Sequence, residues 1–184
     1  MKNYLLTPGP TPVPPEALEA MARPIIHHRT PQFQAILKEA EEDLKYIFNT
    51  KNSVLIFASS GTGAMEGAVS SLLSPGDKAI VVRAGKFGER WGELCSAYGI
   101  EFIPIDVEWG KTVDPQDIKK ILEKDSGIKA VYATLCETST GASADVKAIA
   151  DVTKNTQAVL VVDAISALGA VTLKTDEWGI DVVV

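Results

Sequence analysis

Residues 130–163, AVYATLCETSTGASADVKAIADVTKNTQAVLVVD, decide the fold. Ala130 to Thr134 and Val159 to Asp163 are short, continuous apolar runs, and Val146 to Thr153 between them carries its apolar residues at helical spacing. A run that is apolar on both sides belongs to a strand covered on both faces, and parallel strands joined by helices give that cover. Outward from this unit the alternation repeats. Val54 to Ala58 precedes a helical stretch at Ala64 to Leu73, Ala79 to Val82 precedes Glu89 to Tyr98, and Glu101 to Ile105 precedes Pro115 to Lys124. A last strand is expected at Ile180 to Val184. The class is therefore α/β, with a mostly parallel sheet flanked by helices. One helix start is marked locally, with Asp114 as N-cap, Pro115 at the first position and Asp117 in the first turn.

Before the alternation begins, residues 1–30 are rich in proline and read as an extended arm carrying one short helix, Pro15 to Ala22. Gln32 to Phe48 places Phe33, Ile36, Leu37, Ala40, Leu44, Ile47 and Phe48 on one face, an amphipathic helix. Residues 31–184 are then expected to form one domain. The whole 184-residue chain is 46% hydrophobic and 23% charged, enough to bury a sizeable core.

The net charge of −6, with 18 basic residues scattered among 24 acidic ones, argues against a nucleic-acid surface. Cys95 and Cys136 stand far apart with no CxxC and no histidine at ligand spacing, so neither a disulfide framework nor a metal site is expected, and a reducing, cytoplasmic compartment fits. The opening residues MKNYLLTPGPTPVPPEAL lack an export-signal core, and no apolar run approaches the roughly 18 residues of a membrane helix. His27, His28 and Arg29 resemble an acid–base or metal cluster, but adjacent side chains diverge in regular structure, which favours arm packing or a subunit contact.

Two segments carry chemistry. Ser59-Ser60-Gly61-Thr62-Gly63 lies between an expected strand and an expected helix, where backbone N–H groups and hydroxyls can receive an anion. A plain small-residue turn would use the same residues. The segment lacks the Gly-Lys-Ser/Thr ending of a P-loop and the GxGxxG spacing of a dinucleotide site, which leaves a phosphate held without lysine or magnesium. Val159-Leu160-Val161-Val162-Asp163 is a buried strand ending in a carboxylate at the sheet edge where α/β proteins bind ligands. Such a carboxylate calls for a cationic partner, although a helix cap or a surface acid remains the plainer alternative.

Six segments together, LTPGPTPVPPEAL, HHRTPQF, SSGTGAMEGAV, GKFGERW, ETSTGASADVKAIA and VVDAISALGA, resemble the first half of class V aminotransferases of the alanine–glyoxylate and serine–pyruvate type. The resemblance covers all 184 residues and implies the fold type I of enzymes that depend on pyridoxal 5′-phosphate (PLP). It implies that Ser60, Gly61 and Thr62 hold the PLP phosphate, that Phe87 stacks on the ring where many relatives have Trp, and that Thr138 lies beside the ring. It implies further that Asp163 pairs with the pyridinium nitrogen, that Ile165 packs on the ring face opposite Phe87, and that the loop of Thr7 and Gly9 approaches the substrate. The implied reaction moves an amino group from a small amino acid, alanine or serine, to glyoxylate or pyruvate, in a homodimer.

The same resemblance places the Schiff-base lysine beyond Val184, so that this chain is expected to be part of the cofactor-binding large domain, inactive alone, with no catalytic residue of its own. A PLP-dependent lyase of the cysteine desulfurase kind would share the cofactor residues but usually stacks a histidine where Phe87 stands. A non-catalytic fragment or subunit that keeps the fold is the remaining alternative.

Overall fold

A computed structural model describes residues 4–184, which fall into two compact units, Met1–Leu44 and Lys45–Val184. The first unit contains α1 (Pro15–Met21), which starts on a proline, and most of α2 (Pro31–Phe48). No residue of either helix is buried. The rings of His27 and His28 stack on each other, centroids 4.6 Å apart.

In the second unit the chain runs through α3 (Gly61–Leu72), β1 (Lys78–Arg83), α4 (Lys86–Ala97), β2 (Glu101–Asp106), α5 (Pro115–Lys124) and β3 (Ile128–Thr134). A small antiparallel hairpin follows, β4 (Cys136–Glu137) and β5 (Ala142–Ser143). The chain then forms α6 (Val146–Thr153), β6 (Val159–Asp163), α7 (Thr175–Trp178) and β7 (Val182–Val183). The main sheet has the order β2-β1-β3-β6-β7, with every neighbouring pair parallel.

Side-chain alternation along the strands divides the core in two. Ile80, Val82, Val131, Ala133, Leu160 and Val162 pack with α5 and α6 residues such as Ile118 and Ile149. Ala79, Val81, Ala130, Tyr132 and Val161 face Met65, Val69, Trp91 and Cys95 of α3 and α4. Trp91 and Tyr132 stack at 4.7 Å inside that second cluster. The Asp114 cap forms as expected, its carboxylate accepting from the Gln116 N–H at 2.9 Å.

Helix α4 presses directly on β1 at Gly88, where an added Cβ would stand 2.6 Å from the Val82 carbonyl oxygen and 3.0 Å from the Arg83 Cα. Both are backbone atoms of a central strand and cannot yield. Gly88→Ala is therefore expected to cost about 1–3 kcal/mol of stability, read as a lowered urea midpoint.

One expected strand is absent. Val54 to Ala58 runs without sheet pairing, with Leu55 73% and Phe57 52% exposed. A strand requires a neighbour to accept and donate its backbone hydrogen bonds, and among the described residues none pairs with this segment. It lines instead a cavity of about 420 Å³, with Val182, Val183 and Val184 among the other lining residues.

Candidate functional site

The parallel strands end together, and the residues that follow them build the site. Asp163, the last residue of β6, is 3% exposed, and Thr134 at the end of β3 is its register partner. Its carboxylate accepts from the Ile165 N–H at 2.9 Å. No lysine, arginine or histidine forms an ion pair with it among the described residues. Burial pushes its pKa above the ordinary carboxylate value, the Ile165 N–H opposes that rise, nearby Glu137 adds to it, and the charge of Arg90 offsets part of it. A buried acid in this condition is complementary to a cationic ligand.

Ser60 is the N-cap of α3, yet its side chain does not cap the helix. The Gly63 N–H turns back to the Ser60 carbonyl at 2.9 Å, while the amides of Gly61 and Thr62 open the helix without a side-chain acceptor. This is the local geometry that receives an anion, because the first amides of a helix and its dipole point the same way. The start of α3 is also held against the loop after β6, since a Cβ at Gly61 would overlap the Ile165 Cδ1.

Phe87 is the second residue of α4 and half-buried. One turn on, Arg90 sets its guanidinium carbon 5.1 Å from the Phe87 ring centroid and donates from Nη1 to Thr62 Oγ1 at 3.0 Å. The α4 start is fixed by Glu137, a carboxylate 2% exposed. It accepts from the Phe87 N–H at 3.2 Å, the Gly88 N–H at 2.9 Å, the Ser139 N–H at 3.2 Å and the Ser139 hydroxyl at 2.7 Å. Negative charge at a helix N-terminus is favourable, and four donors replace the water it has lost. Next to it, Thr138 donates to Ser166 Oγ at 2.8 Å, and Ser166 in turn donates to the Cys136 carbonyl at 3.2 Å.

The expected residues Ser60, Gly61, Thr62, Phe87, Thr138, Asp163 and Ile165 thus stand on elements tied to one another by direct contacts. Thr7 and Gly9 belong to the Met1–Leu44 unit, where the Thr7 hydroxyl donates to the Pro10 carbonyl at 3.0 Å. Sequence reasoning assigned no role to Arg90, Glu137 or Ser166. For Arg90 a signal existed, because residues three apart on a helix share a face and Phe87 is three before it.

Taken together, the site offers amides and a hydroxyl to an anion, a buried unpaired carboxylate to a cation, and the apolar surfaces of Phe87 and Ile165. A phosphorylated, protonated heteroaromatic ring has those three characters, so the residues present fit PLP.

The family model described as "Aminotransferase class-V" matches residues 3–184. A protein of Synechococcus named as the small subunit of a soluble hydrogenase is 44% identical over 99% of this chain and 48% of its own length. The serine–glyoxylate aminotransferase of Hyphomicrobium methylovorum is 40% identical over 97% of this chain and 45% of its own. Among solved structures, an alanine–glyoxylate aminotransferase of Nostoc superposes with a TM-score of 0.91 at 30% identity, over 96% of this chain and 47% of that one. The chain spans about half the length of the curated relatives it matches.

Proposed function

Because this chain belongs to the class V aminotransferase family, we propose that it forms the cofactor-holding part of a PLP-dependent transaminase acting on a small amino acid, alanine or serine, and on glyoxylate or pyruvate. The observation that carries this reading is Asp163, a carboxylate buried at the sheet edge that forms no ion pair among the described residues.

When bound, PLP supplies an electron sink for the charge left on the substrate carbon as its proton departs. In this reading the Asp163 carboxylate keeps the proton on the ring nitrogen, which maintains that sink. Ser60, Gly61 and Thr62 bind the phosphate by amides and hydroxyls, Phe87 and Ile165 cover the ring faces, and Thr138, oriented by Ser166, stands beside the ring. The loop of Thr7 and Gly9 approaches the substrate through its backbone. No lysine among residues 1–184 is assigned to the reaction.

The reading extends to a cytoplasmic homodimer. The homodimer is supported by the large apolar side chains that the Met1–Leu44 unit exposes, with Leu6 at 95% and Ile25 at 100%.

Adding PLP is expected to give a protein-bound absorbance band between about 300 and 450 nm, measured on this chain and on a form spanning the full length of the relatives. If neither form perturbs the PLP spectrum, the cofactor assignment fails and only the fold stands.

A further inference from the structure

Arg90 is half-buried, and it makes no ion pair with a carboxylate among the described residues. A cation partly withdrawn from water is favoured near negative charge; the buried Asp163 carboxylate feels the charge of Arg90 without pairing with it, so a direct anionic partner is left for a ligand to supply. Among the described residues its one hydrogen bond to another side chain goes to Thr62, in the first turn of the helix whose opening amides are free to receive an anion.

The direction of that bond is informative. A guanidinium can only donate, so the Thr62 oxygen is the acceptor, and the hydroxyl proton remains available to a second partner. A phosphate oxyanion can only accept. A threonine already engaged as an acceptor therefore presents to a phosphate the polarity that the phosphate needs. The Phe87 ring lies against the guanidinium and limits how far it can swing away from Thr62.

We propose that Arg90 is the positioning residue of the phosphate site, fixing the Thr62 hydroxyl as a donor to the phosphate of the cofactor. The inference rests on the reading that Thr62 faces PLP. It goes beyond that reading by assigning the selectivity for a phosphorylated over an unphosphorylated ring to a residue outside the glycine-rich turn.

The test uses pyridoxamine 5′-phosphate and pyridoxamine, neither of which needs a lysine to bind, titrated by fluorescence into the full-length protein. Wild type, Arg90→Gln, Thr62→Val and the double variant are compared, each with its thermal midpoint measured without ligand. Arg90→Gln is expected to weaken pyridoxamine 5′-phosphate about 10- to 100-fold and pyridoxamine by less than about 3-fold. On a Thr62→Val background its effect is expected to shrink, because the hydroxyl it orients is gone. Arg90→Lys, which keeps a donor, is expected to recover part of the affinity and serves if Arg90→Gln does not fold.

Equal weakening of both ligands, or full additivity with Thr62→Val, overturns the inference. If wild type binds neither ligand, the cofactor reading itself falls, and the role of Arg90 with it.

Discussion

Asp163→Asn is expected to lower the affinity for PLP about 100-fold or more, the cost of removing one partner from a buried charge pair, while raising the stability of the cofactor-free protein at neutral pH. The two effects have opposite signs because the carboxylate is burdened without its ligand and needed with it. In the free protein its folded pKa is raised, chiefly by burial. The folded state then holds the proton more tightly than the unfolded chain does. Stability is therefore lost as the pH climbs from the ordinary carboxylate value of 3.8 through the raised one. Asparagine cannot ionise and removes that loss, while its amide oxygen can still accept from the Ile165 N–H. Urea unfolding of the two apoproteins between about pH 4 and 8 should show curves that separate as the pH rises. PLP titration at pH 7 reads the other half. An Asn variant that binds PLP as wild type does would remove Asp163 from the cofactor site.

Glu137→Ala should be the most damaging single change to folding among the site residues, at about 3–5 kcal/mol by urea denaturation. Four donors converge on this buried carboxylate, three of them backbone amides that cannot turn to water. Alanine leaves them unsatisfied and releases the start of α4 from the β4–β5 hairpin. Glu137→Gln should restore only part of the loss, since the amide nitrogen would face donors with a donor. A loss below about 1 kcal/mol for Glu137→Ala would mean that water replaces the carboxylate, and that the packing of α4 on the sheet suffices to hold it.

The parallel sheet was legible because its strands are apolar on both faces, and burial on both faces is written into composition. Val159 to Asp163, Val146 to Thr153 and Pro115 to Lys124 match the observed elements, the last because Asp114 and Pro115 mark its start. Val54 to Ala58 has the same composition and does not pair, because pairing is a property of two segments and only one of them is local. The β4–β5 hairpin escaped notice for a different reason: two-residue strands are too short to show a period.

The expected cofactor residues come from a resemblance between whole motifs, and the structure gathers those of the second unit around the end of β6. Arg90, Glu137 and Ser166 act through partners 28 to 50 positions away. Separations of that size leave no trace in a local pattern.

The tight contact between Gly61 and Ile165 makes these two positions one unit of inheritance. The helix start and the loop after β6 come from segments about a hundred residues apart, yet they share a single allowance of volume at the place where their side chains meet. A bulkier residue at 61 obliges the half-exposed Ile165 side chain to turn its Cδ1 away or to be trimmed, and either change would give up the apolar cover proposed for the ring. What is tolerated at one position thus depends on which side chain, in which rotamer, stands at the other.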